Sequence, residues 1–371
     1  MAKHALLSAS GAKRWLACPP SARLEENFPD TVSDYAAKGT LAHSYAEALI
    51  MRMGNLKAIK ASPLFDAEMD RVIHEFKDYV MERYALAGKE AYLFAEERLS
   101  YAPWVKDGFG TGDVVIIGPD YFEIIDLKYG TGVPVSAEDN PQLRLYALGA
   151  LNEYGFMFSP EKVIMTIVQP RLSSISSREM SRKELLEWGS SIVKTAELAY
   201  AGKGGYKAGE HCRFCRAKAL CKARAEENLQ LAKYEFKNAD LLDEEELGEI
   251  LERADLLKAW AEDIKKYALS EAQKGTKIPG WKVVAGRSVR KFTDTVQVEK
   301  TLRRAGYTDH AIYKPAEMQS LSNIEKTLGK KEFSALLGGL VEKQPGKPTL
   351  VPETDERPEW HSAQEDFEIL D

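Results

Sequence analysis

Phe109-Gly110-Thr111-Gly112-Asp113-Val114-Val115-Ile116-Ile117 and Tyr121-Phe122-Glu123-Ile124-Ile125-Asp126-Leu127-Lys128 are the two runs whose reading decides the fold. Each is an apolar stretch of strand length, and Gly118-Pro119-Asp120 between them supplies the turn residues of a hairpin. Asp113 opens the first strand after a glycine turn. Asp126 and Lys128 stand two residues apart, so on a strand they project to one face while Leu127 points into the core. A hairpin paired in register brings Asp113 near Asp126. Two carboxylates that close repel one another unless a cation lies between them. A hard divalent ion, Mg or Mn, is the natural occupant, because it prefers carboxylate and water oxygens. Asp-x-Lys alone is often an ordinary solvated face. Among Ile124, Ile125 and Leu127, a charged pair needs a reason to be there.

Upstream, Ala36 to Met53 reads as a helix, with Leu41, Tyr45, Leu49 and Ile50 near helical spacing. On it, His43 and Glu47 are four apart and share a face. His43 is either a further metal ligand, held with help from Glu47, or a packed helix histidine. A second amphipathic helix runs from about Ala67 to Leu86, and 92–99 reads as a strand. Downstream, Asn140-Pro141 opens a helix over 140–153, Pro suiting a first helical position. Its Gln142 and Tyr146, with Arg144 between them, are candidates to touch a nucleic-acid strand; the plainer reading is a surface Gln and a half-buried Tyr. Val163 to Val168 is a further strand and Leu185 to Tyr200 a helix. Residues 1–30 read as loop. Beyond residue 230 the pattern gives a long charged helix or helical pair over 240–273, a short hairpin over 281–290, helices at 295–305 and 322–337, and a Pro-rich acidic tail from 344.

The chain has 371 residues with 44% hydrophobic and 29% charged residues, the balance of an ordinary globular protein. No apolar run approaches the roughly 18 residues that span a bilayer, and the N-terminus lacks a signal-peptide pattern, so a cytosolic location is expected. The net charge of −6 is a property of the tail: residues 351–371 carry eight acids against Arg357, which leaves the preceding body near +1. A neutral body accommodates a local basic groove for phosphates. The four cysteines are Cys18 and the close set Cys212, Cys215 and Cys221. In a reducing compartment they point to metal binding or redox chemistry. Four thiolates suit an iron–sulfur cluster or a closed zinc site, and the count does not choose between them.

Read together, these motifs resemble the PD-(D/E)XK nuclease superfamily, in particular its RecB-type branch with an iron–sulfur cluster, which includes the AddB nuclease domain and the CRISPR-adaptation exonucleases. That branch is marked by a helix histidine, an Asp after a glycine turn, an acid-x-Lys strand and a Gln-x-x-x-Tyr helix, with one Cys before the core and three close-spaced Cys after it. The resemblance covers roughly residues 10–225. Gly112 stands where the superfamily name has Pro, and Asp126 where Glu is commoner. The resemblance implies an α/β, restriction-endonuclease-like mixed sheet flanked by helices, with a mainly helical C-terminal extension. The domains would be 1–228, 229–343 and the tail 344–371. It implies a Mg- or Mn-dependent DNA exonuclease in phage-type recombination or DNA processing. His43, Asp113, Asp126 and the Leu127 carbonyl would hold the metal, Glu47 would assist and Lys128 would serve the attacking water. Gln142, Arg144 and Tyr146 would guide DNA, and Cys18, Cys212, Cys215 and Cys221 would hold a 4Fe-4S cluster. The partners would be single-stranded DNA or duplex ends, and a phage annealing or single-strand-binding protein. The competing expectation is a non-catalytic DNA-binding or scaffold subunit that keeps the fold.

Overall fold

A computed structural model describes residues 5–29, 34–132, 134–230, 244–284, 293–313, 318 and 320–341. Two compact units divide the chain, Met1–Ser270 and Glu271–Asp371. The first is built on a five-stranded sheet in the order β1 (Tyr92–Ser100), β2 (Phe109–Ile117), β3 (Tyr121–Leu127), β4 (Lys162–Gln169) and β5 (Ser174–Ser181). Three neighbouring pairs are antiparallel and β3–β4 is parallel. The expected mixed α/β sheet is therefore present. The parallel pair forces a crossover, and α6 (Pro141–Phe158) fills it.

Helices cover both faces, and alternate residues of β2 serve the two sides. Val115 and Ile117 pack with Leu143, Ala147, Leu148 and Leu151 of α6 and with Leu185, Ile192 and Ala196 of α7 (Arg182–Tyr200). Val114 and Ile116 pack with Tyr45 of α3 (Asp34–Met51) and with Met69, Val72, Ile73 and Phe76 of α5 (Ala67–Ala87). The helix ends follow local chemistry. Asp66 caps α5 by accepting from the Met69 amide, Asn140 caps α6 through Gln142 and Leu143, and Ser181 with Glu184 forms a capping box on α7. At one crossing α6 lies against β1 so closely that a Cβ on Gly149 would stand 2.7 Å from Leu99 Cβ.

A buried ion pair ties α5 to the sheet. Glu123, fully buried in β3, takes a two-pronged hydrogen bond from Arg83 Nε at 2.9 and 3.0 Å. A buried charge is tolerated only when so paired.

One expectation changes and one element is new. The segment 1–30 is not all loop: it holds α1 (Ala12–Ala17) and α2 (Ser21–Glu25), and Leu7 and Trp15 join the α6–α7 core. These helices are too short for apolar periodicity to announce them. The edge strand β5, Ser174-Ile175-Ser176-Ser177-Arg178-Glu179-Met180-Ser181, is another element the sequence pattern does not announce. It is mostly polar and is held by its ladder with β4.

The first unit continues through α8 (Lys222–Leu229) and most of α9 (Glu244–Gln273). Asp263 of α9 pairs with Arg224 at 2.7 Å and Lys218 at 2.9 Å. The second unit has, among its described residues, α10 (Thr295–Arg304), α11 (Asp309–Ile312), α12 (Leu321–Leu328) and α13 (Lys330–Leu337). Gly329, at φ 78°, divides the expected 322–337 helix into the last two. Of the expected 281–290 hairpin, residues 285–290 lie outside the described residues, as does the tail from 344. Among the described residues no helix is long and apolar enough to cross a membrane.

Candidate metal centre

The β1–β2 hairpin departs from strict alternation at one step. Leu93 and Ala95 face the α3–α5 core, and Phe94 stacks on Tyr154 of α6 at 5.2 Å. Alternation would send Glu96 toward α6 as well. Instead Glu96 adopts φ 50°, a left-handed conformation uncommon outside glycine, and its carboxylate reaches His43 on α3. On β2, Gly112 lies against Leu99 on the α6 side, while Asp113 and Val114 both face α3. The ladder pairs Ala95 with Val114 and Glu97 with Gly112, so Glu96 and Asp113 stand opposite one another.

The result is a group of three donors. His43 Nδ1 is 3.1 Å from Asp113 Oδ1 and 3.6 Å from Glu96 Oε1. One donor atom from each residue lies within 4.8 Å of the others. Burial alone disfavours an imidazolium, but Asp113, Glu96 and Asp126 outweigh it and push His43 up to about 10. The other Asp113 oxygen accepts the Leu127 amide at 2.6 Å, just past the last ladder pair, Val114–Ile125. An imidazole with two carboxylates suits a divalent ion that accepts both nitrogen and oxygen donors, of which Mn is one.

A second group adjoins it. Asp126, almost fully buried, pairs with Lys128 Nζ at 2.8 Å. Gln142, in the first turn of α6, bridges the two: its Nε2 donates to Asp126 at 3.0 Å and its Oε1 accepts from Lys128 at 3.0 Å. The Tyr146 hydroxyl accepts from the same amide at 3.3 Å. Burial raises the Asp126 pKa, against the pull of Lys128 and with repulsion from Asp113. Burial would lower the Lys128 pKa, but Asp126 reverses the shift and keeps the ammonium charged. The Lys128 amide is fixed by the Val168 carbonyl at 2.9 Å.

The structure thus gathers His43 with Asp113, and Asp126 with Lys128, Gln142 and Tyr146. Gln142 and Tyr146 are engaged inside this network. Arg144 pairs with Asp139 and lies over Trp188 at 5.4 Å. Glu47 is exposed and outside the group. The carboxylate that joins His43 and Asp113 is Glu96, which sequence reasoning missed. Its one signal was the acid pair Glu96-Glu97 breaking the alternation of a strand.

The cysteine segments also meet. Arg14 pairs with the buried Glu25 at 2.8 Å and donates to the Phe214 carbonyl at 3.4 Å, and Glu25 accepts the Arg216 amide at 2.7 Å. Cys18, Cys212 and Cys215 are buried and Cys221 half-buried, all four as free thiols. Burial, with Glu25 adding to it, pushes Cys215 up to about 11. Among the described residues only His43, Glu96 and Asp113 form a trio of donor atoms within 4.8 Å.

Solved structures similar to this chain include two crystal structures. One is the crystal structure of SSO0001, with 16% identity and a TM-score of 0.29, the match covering 60% of this chain and 89% of that one. The other is a crystal structure from Eubacterium rectale described as "Putative exonuclease", with 12% identity and a TM-score of 0.35, covering 58% and 89%. A family described as "Protein of unknown function (DUF2800)" matches residues 4–358. That span is nearly the whole chain, which therefore belongs to the DUF2800 family.

Proposed function

We propose that the chain is a divalent-metal-dependent deoxyribonuclease that hydrolyses phosphodiester bonds from DNA ends, with an iron–sulfur cluster held by Cys18, Cys212, Cys215 and Cys221. The observation that carries this reading is the pair of adjoining groups: His43–Glu96–Asp113 beside Asp126–Lys128–Gln142. His43, Asp113 and Asp126, with the Leu127 carbonyl, would hold Mg or Mn, as the resemblance implies. A cation held by these residues would supply charge neutralisation at the phosphate and a more acidic water. The chain's own residues supply the rest. Lys128, kept charged by Asp126, offers a fixed positive group to the phosphate oxygens and serves as an electrostatic partner. Gln142 holds its ammonium in place. The Asp113 carboxylate is oriented by the Leu127 amide, so positioning carries much of the rate. The choice of an iron–sulfur cluster over zinc rests on the resemblance. A role in phage-type recombination, with an annealing or single-strand-binding partner, rests on the resemblance alone.

The test is cleavage of end-labelled linear DNA, single-stranded and duplex, with Mn or Mg. Asp113→Asn and Lys128→Ala should each lose activity at least a hundredfold, on the scale of losing one oriented electrostatic group, with unchanged circular dichroism. Full activity in both variants would sink the assignment. Anaerobically purified protein should be brown and contain iron and sulfide. A colourless protein with one zinc would overturn the cluster and leave the nuclease reading standing.

A further inference from the structure

The sheet face that carries the metal donors continues past them. On β1, Glu97 accepts from Tyr154 at 2.7 Å and Leu99 lies against Gly149, so both point toward α6. Arg98 between them points to the opposite face, where Glu96 meets His43. On β2, Gly110 faces Tyr146 and Gly112 faces Leu99, which sends Phe109 and Thr111 to the same side as Asp113. The contact agrees: the Arg98 guanidinium lies 3.8 Å from the centre of the Phe109 ring.

Arg98 is exposed, and among the described residues it has no carboxylate within ion-pair distance. Arg83, Arg144 and Arg171 are each paired with an acid. Here a bare cation, planar and already stacked on an aromatic ring, sits beside a group of carboxylates. One two-residue step separates Arg98 from Glu96, about 6.7 Å along the strand. That is comparable to the reach between neighbouring phosphates of an extended single strand.

We propose that Arg98 and Phe109 form the binding site for the nucleotide next to the one cut. The guanidinium would take its phosphate, and the stacked guanidinium and ring would take its base. The ligand class is single-stranded DNA, because only an unpaired base presents its face to such a platform. This rests on the nuclease reading and adds a residue-level account of substrate choice.

The experiment is fluorescence anisotropy of a short labelled oligothymidylate with the full chain in Ca²⁺, intact DNA being verified by gel. Arg98→Ala should weaken binding about tenfold or more, and Phe109→Leu about fivefold or more, the lower end of one lost base stack. Arg98→Ala should also reduce the slope of log affinity against log salt by about 0.7, the share of one phosphate contact on a single strand. Arg98→Lys should keep that slope while losing affinity, which a merely structural role would not produce. Lys183→Ala, at an exposed remote lysine, should change neither affinity nor slope by more than assay scatter. A thermal melt verifies that the variants fold. Unchanged affinity and slope in Arg98→Ala, with the wild type binding and cutting DNA, would overturn the platform and spare the nuclease. A wild type that neither binds nor cuts DNA would overturn both.

Discussion

Loading the metal centre should expel a proton. Without a cation, Asp113, Glu96 and Asp126 hold a proton on His43 against the cost of its burial, and its pKa stands at about 10. An imidazole ligates metal only through a neutral nitrogen. At pH 7 the charged form is favoured about a thousandfold, so freeing the nitrogen costs about 4 kcal/mol, three units at roughly 1.36 kcal/mol each. The sign follows: protons compete with the ion, and affinity falls with falling pH. Apparent Mn²⁺ affinity should rise about tenfold per unit between roughly pH 6.5 and 8, with about one proton released per ion. Titration calorimetry in two buffers of different ionisation enthalpy counts that proton. Asp113→Asn removes the largest of the forces that raise His43 and should flatten the slope along with weakening the site. PH-independent Mn²⁺ binding without proton release would refute His43 as a ligand.

Three further outcomes concern stability. Arg83→Ala leaves Glu123 fully buried without its ion-pair partner and should cost about 3–5 kcal/mol in urea unfolding; adding Glu123→Leu to Arg83→Met should restore most of it. Gly149→Ala drives a Cβ to 2.7 Å from Leu99 Cβ and 3.2 Å from its backbone carbon. The expected loss is about 1–3 kcal/mol, and an unchanged melting curve would show that the α6–β1 crossing is loose. Gln142→Leu strips one partner each from Asp126 and Lys128 and should cost about 1–3 kcal/mol, read in the same unfolding assay.

Much of the sheet was legible because β2 and β3 are apolar runs bounded by glycine and proline. His43, Asp113, Asp126 and Lys128 stood out by type and setting. Gln142 and Tyr146 were found by their spacing, but not their engagement with Asp126 and Lys128, which depends on where the crossover helix lands. Glu96 was hidden for a different reason. It becomes a neighbour of Asp113 only through cross-strand register and a left-handed backbone turn, and neither is written in local periodicity. The short helices of the N-terminal segment and the serine-rich β5 were missed because their places are fixed by contacts with distant elements.

The tie between Glu25 and the Arg216 amide spans 191 residues, and it sets a timetable. On a ribosome adding about 5–20 residues per second, the first helices wait roughly 10–40 seconds before the cysteine segment that holds them is made. Leu7 and Trp15 spend that interval without the complete core they finally join. Residues 7–25 are thus made well before the segment that locks them. Whatever guards the nascent chain over those seconds has its work concentrated on residues 7–25.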